Sequence, residues 1–247
     1  VETETAWLVD ADSKGQGVQS FWPEPERYAA AVALFAGAGF QCITHAVGDR
    51  AVQAALDAYE AAGHAPDVHH RIEHIEIVQD RDIGRSARLG VVASRQPLHM
   101  DAARADGSDE WAAGVGPERT AAAFRAQTLR ASGAIMSLGS DWMVAPFDPR
   151  IGMARARLRR TPGRLEMPPR AGNQVLTGVQ TLQGYTTGAA MAVSEADRSG
   201  QIKPGYRADL TGFAADPVET DADALPDLPV LLTIVAGRVV HDARGVA

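Results

Sequence analysis

Three side chains that can bind a metal ion lie at or just after short apolar segments of the sequence. His45 lies in "ITHAV", His74 lies in "RIEHI", and Asp141 follows the apolar run at 134–139. Imidazole nitrogen and carboxylate oxygen are both ligands that Zn²⁺ accepts. These residue types indicate a divalent metal site, provided that the fold brings the three side chains to one place.

The same residues also have structural interpretations. A histidine at the end of a strand is often a hydrogen-bonded core residue, and Asp141 is of a type that caps the N-terminus of a helix. His69 and His70 are adjacent and would point to opposite faces of a strand, so they are also compatible with a surface pair. Alternation predicts that His70, Ile72 and His74 share one strand face. The residue types alone leave these alternatives open.

Strands and helices alternate along the first 140 residues. Apolar β-branched runs predict the strands, and helical spacing with Gly or Pro boundaries predicts the helices. This order is typical of a parallel sheet built from βαβ units, in which catalytic groups gather at the carboxyl ends of the strands. The strands are predicted to end near residues 45, 74, 95 and 139, and the helices to span 24–38, 50–63, 81–89 and 119–132.

A further helix is predicted over residues 179–193. Thr177 and Gln180 have the spacing of a capping box at its start. Gly184 and Gly188 lower the helix propensity of this segment. We therefore expect this helix to pack closely on another element.

The last part of the chain has a strand-like pattern. Residues 203–206 fit a type II turn, with Pro and Gly at its centre, and a hairpin pattern follows. The sequence therefore predicts one domain over 1–198 and a small β domain over 199–247. The Arg-rich run at 155–160 is interpreted as a solvated helix end.

Composition excludes several classes of partner. The formal net charge of −7 and the lack of a basic cluster argue against nucleic acid binding. No apolar run approaches the ~20 residues of a membrane span. Cys42 is the only cysteine, which fits a reducing compartment, and the cytoplasm is the expected location.

Five blocks of sequence follow one another in a characteristic order and spacing. They are "HAVGDRAV", "RIEHIEIVQDRDIGRSARLGVVASRQPLHM", "GSDWMVAPFDPRIGM", "TLQGYTTGAAMAV" and "GQIKPGYRADL". Together they resemble the amidohydrolase superfamily, in particular its amidohydrolase 3 branch, and the similarity runs from about residue 1 to the end of the chain. The resemblance implies an α/β fold, namely the C-terminal half of a (β/α)₈ TIM-type barrel with part of a small β-sandwich.

The resemblance also implies a function and a role for particular residues. It implies a metal-dependent hydrolase that cleaves non-peptide C–N bonds of a small molecule, with zinc as the expected metal, one or two ions per full-length protein. His45, His74 and Asp141 correspond to metal ligands, and Asp141 also to the group that takes a proton from the attacking water. The expected substrate contacts are Arg71, Gln96, His99 and Trp142.

The chain departs from the family pattern in two respects. It contains no His-x-His pair, and neither Lys14 nor Lys203 lies where the family carries a carboxylated lysine. These absences and the half set of strands predict a C-terminal portion of a longer enzyme, inactive in isolation. Such a portion is expected to pair with its missing N-terminal half or to form a homo-oligomer, because half a barrel exposes sheet edges.

Other functions remain open from the residues alone. The same scaffold hydrolyses esters and lactones, and it also fits a non-catalytic binding or regulatory protein. A nucleotide-binding α/β domain is set aside, because no glycine-rich phosphate loop follows any predicted strand.

Overall fold

The computed structural model describes residues 5–63, 68–102, 108–243 and 245. Two sheets lie within these residues: a parallel sheet of four strands and an antiparallel sheet of three strands. None of the helices in the described ranges combines the length and apolar character that crossing a bilayer requires.

The parallel sheet confirms the four predicted strand ends. Its strands lie side by side in chain order, β1-β2-β3-β4. All three neighbouring pairs are parallel, with His45 opposite Glu73 and Ser94 opposite Ser137. The strands are β1 (Ile43–Ala46), β2 (Arg71–His74), β3 (Val92–Arg95) and β4 (Met136–Leu138).

Helices connect these strands and cover one face of the sheet. The main core packs residues such as Ile72 and Ala93 of the sheet against Val52 and Leu56 of a helix, all at most 1% exposed. On the other face Ile43 is 53% exposed, so that face is open at β1. The helices before β4 are α1 (Pro25–Gly37), α2 (Asp49–Ala62), α3 (Asp80–Arg88), α4 (Glu110–Val115), α5 (Pro117–Ala121) and α6 (Ala126–Ala131).

The helix predicted over 119–132 is interrupted, and this part of the prediction is wrong. Phe124 has a left-handed backbone (φ 52°) between α5 and α6. Its N–H donates to the carbonyl of Glu76 at 2.7 Å, and Ala123 forms a β-bridge with Ile77. A tertiary pairing with the segment after β2 therefore replaces the helical hydrogen bonds that local propensity favours.

The prediction of a solvated helix end at 155–160 is also wrong for two of its arginines. The segment covers the end of α7 (Pro149–Leu158), where Arg155 and Arg159 are only 3% and 2% exposed. Arg155 Nε lies 2.9 Å from an Asp101 carboxylate oxygen, which comes from a distant part of the chain. A run of charges in sequence does not reveal such a partner.

The glycine-rich helix packs closely on β4, as its composition predicts. It starts with the predicted capping box at Thr177 and divides into α8 (Gly178–Tyr185) and α9 (Thr187–Ala192). A Cβ at Gly188 would lie 1.9 Å from the Met136 carbonyl oxygen. Only glycine allows this approach of helix and strand.

Substitution Gly188→Ala is expected to destabilise the protein by about 1–3 kcal/mol, because the added methyl group must displace the backbone of β4. Gly84→Ala in α3 is the matched control, since a Cβ there meets no atom within 4 Å. It should stabilise the protein by roughly 0.5–1 kcal/mol through helix propensity. Urea unfolding of both variants measures the difference, and equal stabilities would contradict the packing argument.

The antiparallel sheet follows α9 and contains β5 (Leu210–Phe213), β6 (Val230–Val235) and β7 (Arg238–Asp242). The predicted turn precedes it: Tyr206 N–H donates to the Lys203 carbonyl at 3.0 Å, and Gly205 has a φ of 88°. The strand pattern of the last segment is therefore confirmed.

Candidate functional site

The three predicted metal-binding residues lie at the carboxyl ends of their strands. His45 is the third residue of β1, His74 is the last residue of β2, and Asp141 lies three residues beyond the end of β4. These ends share one edge of the sheet because the strands are parallel. The edge is where parallel α/β folds carry their functional groups.

The imidazole of His74 lies between two other imidazoles. Its ring centroid is 4.4 Å from that of His45, in an edge-on arrangement, and 5.1 Å from that of His99, nearly parallel. His99 comes from a 3₁₀ helix (Pro97–Ala102) that follows β3. The sequence predicts that His99 contacts substrate. In the structure His99 also lies within the histidine cluster.

Asp141 completes this cluster. Its Oδ2 lies 3.6 Å from His99 Nε2, and the candidate ligand atoms of His74, His99 and Asp141 all lie within 4.8 Å of one another. His74 Nδ1 and His99 Nε2 are buried without a hydrogen-bond partner among the described residues. These side chains carry the nitrogen and oxygen donors that Zn²⁺ accepts and lie close enough together to be ligands of one cation. The residues present therefore fit a metal ion.

The backbone at two of these residues is left-handed, with φ of 72° at His74 and 56° at Asp141. At His74 this breaks the alternation of the strand. Ile72 is fully buried, and His70 stacks on Tyr59 of α2 at 4.8 Å, whereas His74 faces His45. The prediction that His70, Ile72 and His74 share a face is therefore wrong. Left-handed non-glycine residues are uncommon and cluster at functional sites.

Burial keeps the two inner histidines neutral near pH 7. Burial, together with the nearby His45 and His99, lowers the pKa of His74 to about 4. Burial also lowers the pKa of His99, against the attraction of the Asp141 carboxylate. Neutral imidazole is the form that binds a metal ion.

Glu76 is a site residue that the sequence analysis did not single out. Its carboxylate accepts a hydrogen bond from Trp111 Nε1 at 3.0 Å and lies 3.9 Å from His99 Nδ1. It therefore lies beside the nitrogen of His99 that does not face Asp141, at an electrostatic rather than a hydrogen-bonding distance. The only sequence signal was its position two residues after His74, in "IEHIE".

A cleft of about 960 Å³ opens beside the histidine cluster. His45, His99 and Glu76 lie on its wall, together with aromatic side chains. The described residues that line it include no lysine and no arginine. The aromatic lining residues are Trp7, Phe21, Trp22, Tyr28 and Trp111.

The other predicted substrate contacts lie outside the described lining of this cleft. Arg71 forms an ion pair with Glu73 and donates to the Ala192 carbonyl at 3.2 Å. Gln96 donates to the same glutamate at 2.9 Å. Trp142 is 65% exposed and packs edge-on against a neighbouring phenylalanine. Their contact with substrate stays a prediction.

Comparisons with known proteins agree on one family. A sequence model described as "Amidohydrolase family", of the amidohydrolase 3 type, matches residues 2–241. The chain is 30% identical over 206 residues to YtcJ of Bacillus subtilis (strain 168), covering 83% of this chain and 38% of that protein. It is 28% identical over 209 residues to an N-substituted formamide deformylase of Arthrobacter pascens, covering 84% and 38%.

Solved structures show the same relationship. A metal-dependent hydrolase of Pyrococcus horikoshii OT3 superposes with a TM-score of 0.73 at 26% identity, over 89% of this chain and 43% of that one. The α/β fold with its parallel sheet is therefore similar to that of known hydrolases. The chain spans 38% of the length of each of the two curated relatives.

Proposed function

Because this chain belongs to the amidohydrolase family, we propose that it carries part of the active site of a metal-dependent hydrolase acting on a non-peptide C–N bond. The observation that supports this most directly is the convergence of His74, His99 and Asp141 from three separate strand ends, with His45 beside them. The proposed metal ligands are His45, His74 and Asp141.

The donor set favours zinc. Imidazole nitrogen and carboxylate oxygen suit this ion, and His99 stands close enough to serve as a further nitrogen ligand or to bind the substrate carbonyl. A divalent cation bound here would lower the pKa of a water molecule from 15.7 to ≈ 7 and would polarise a carbonyl oxygen.

Asp141 is proposed to handle the proton. Its carboxylate lies at the mouth of the cluster with 41% of the side chain exposed, so water can reach it. It would accept a proton from the attacking water and deliver it to the leaving nitrogen. His99, which lies between Glu76 and Asp141, would orient the carbonyl of the substrate.

The cleft supports a neutral amide as substrate. Glu76, His45, His99 and Tyr28 are the ionisable residues among those that line it, so a carboxylate on the substrate would find no lysine or arginine there. Its aromatic walls favour an apolar substituent on the amide. An N-substituted formamide, the substrate class in the name of one relative, has this character.

Removing the metal tests this proposal. Dialysis of the full-length enzyme, which comprises this chain and the segment that would close the barrel, against a chelator is expected to abolish hydrolysis of an N-substituted formamide. Added zinc should restore it, because the water nucleophile depends on the cation. An ester and a lactone of similar size are assayed in parallel. Preference for either would replace the C–N assignment, and activity that survives chelation would overturn the metal-dependent mechanism. Tight amide binding without turnover would favour the non-catalytic alternative.

We also propose that the parallel sheet is the C-terminal half of a (β/α)₈ barrel and that 199–247 is part of a β-sandwich. In the described residues β1 pairs only with β2 and β4 only with β3, so both outer edges are open. The exposure of Ile43 on one face of the sheet also supports a missing half of the barrel. We call this chain together with the segment that closes the barrel the assembled enzyme. Its proposed location is the cytoplasm, consistent with the lone Cys42.

Isolated, the 26.1 kDa chain is expected to self-associate, because open strand edges pair with other chains. Sedimentation should show species larger than the monomer. Ile43→Asp should weaken this association, while Ile202→Asp, at a position 91% exposed in the segment before β5, should not. A monodisperse monomer that unfolds cooperatively would contradict the half-barrel proposal.

A further inference from the structure

Two buried arginines border a small cavity between the end of β3 and the end of α7. The cavity has a volume of about 20 Å³, and Arg95 and Arg159 lie on its wall, 5% and 2% exposed. A volume of this size holds roughly one water-sized species. Apolar side chains such as Leu138 and Leu176 form much of the remaining wall.

Arg159 has a hydrogen-bond donor that no described residue accepts. Its Nε donates to the Arg170 carbonyl at 2.5 Å, and its Nη1 donates to the Phe124 carbonyl at 3.1 Å. Its Nη2 is buried without a partner among the described residues. Buried polar groups in native proteins nearly always have a hydrogen-bond partner, so we expect a bound species to accept a hydrogen bond from this nitrogen.

The electrostatic surroundings of Arg159 are positive. The charged groups that act most on it are Arg95, Arg155 and Arg170, and these together with burial lower its pKa to about 9. Asp101 forms an ion pair with Arg155 rather than with Arg159. Within the described residues, no carboxylate forms an ion pair with Arg159.

Each neighbouring guanidinium already has other attractions. Arg95 donates to the Ile75 carbonyl and is attracted by Glu76. Arg170 lies over the ring of Trp111 at 4.9 Å. Among these arginines, Arg159 is therefore the one for which the described residues supply no negatively charged partner and no aromatic ring, and it lies beside the cavity.

We propose that this cavity binds one small monovalent inorganic anion, for which chloride is the physiological candidate. A water molecule would satisfy the hydrogen bond of Arg159 Nη2 but would leave the buried positive charge uncompensated. Sulfate, phosphate and organic carboxylates are too large for a cavity of about 20 Å³.

A bound anion would join the ends of two elements that support the site. Arg95 ends β3 and contacts the carbonyl of Ile75, the residue after His74. Arg159 follows α7. The anion would therefore stabilise the segments that follow β2 and β3, next to His74 and His99, without contacting either ring.

Thermal unfolding in chloride tests the proposal. Raising chloride from about 1 mM to about 200 mM, with gluconate holding the ionic strength constant, should raise the midpoint by about 3 °C or more. Once chloride exceeds the dissociation constant, the midpoint should rise with the logarithm of its concentration. Sulfate stabilises proteins by exclusion from their surface, so any shift it causes should be equal in the unmodified protein and in Arg159→Met. Arg159→Met, which keeps the side-chain volume and removes the charge, should lose the chloride response.

Arg164→Met is the matched control, because Arg164 is 63% exposed and pairs with Glu166 at the surface. It should keep the full shift. A second measurement needs no variant: crystals of the protein soaked in bromide should give an anomalous peak within hydrogen-bond distance of Arg159 Nη2. Equal midpoints in chloride and gluconate, a full response in Arg159→Met, or no bromide peak in the cavity would each overturn the proposal.

Discussion

Replacement of Asp141 by asparagine is expected to reduce kcat of the assembled enzyme by at least about 10³-fold. Asparagine keeps the shape of the side chain but cannot accept a proton, and general acid–base catalysis contributes typically 10²–10⁴-fold. Weaker binding of the metal adds to this loss, because an amide oxygen carries no formal charge. Steady-state hydrolysis of an N-substituted formamide measures the effect.

The comparison that isolates the role of Asp141 is Asp197→Asn. Asp197 is an exposed carboxylate, and its substitution should leave kcat and KM unchanged. In Asp141→Asn the KM should change little, since the neutral substrate is held mainly by the apolar cleft. Turnover within a few-fold of the unmodified enzyme would refute the assignment of Asp141 as the proton acceptor.

Replacement of His74 by glutamine is expected to have the second large effect, a loss of zinc affinity. His74 lies between His45 and His99 and is only 7% exposed. Its loss would therefore remove the central imidazole of the cluster. Loss of an outer-shell partner already costs roughly 10–100-fold in metal affinity, and loss of a direct ligand should exceed this. Competition titration with a zinc chelator gives the affinity of each protein.

His241→Gln serves as the control for this experiment, because His241 lies on β7 and is exposed. Its zinc affinity should equal that of the unmodified protein. The variant His45→Gln should also lose zinc affinity, and His99→Gln then shows whether that ring is a further ligand. An unchanged affinity in His74→Gln would place the metal elsewhere and would remove the basis of the hydrolase mechanism.

The strand ends and turns could be predicted because their signals are local. Apolar β-branched runs indicated β1 to β4. The capping box at Thr177 and the turn at 203–206 each depend on residues a few positions apart. Parallel strands bring their carboxyl ends together whatever the loops do. The proximity of His74 to His45 and to Asp141 was therefore foreseeable from residue types and strand order.

Helix continuity was less predictable, because tertiary hydrogen bonds compete with local propensity. Phe124 breaks the helix over 119–132 by pairing with Glu76, a residue 48 positions earlier. No sequence pattern within residues 119–132 indicates that Phe124 will pair with Glu76. The two glycines at 184 and 188, in contrast, signalled their close packing, since helix propensity alone disfavours them.

The sequence by itself determined the family, the order of the strands and three candidate residues for the site, because residue types and short spacings carry that information. Only the tertiary structure decided that His99 joins the cluster, that Glu76 lies beside it, and that Arg159 is buried. These results depend on backbone reversals such as that at His74 and on contacts between distant segments. Such contacts form only when the whole chain packs, so no local pattern encodes them.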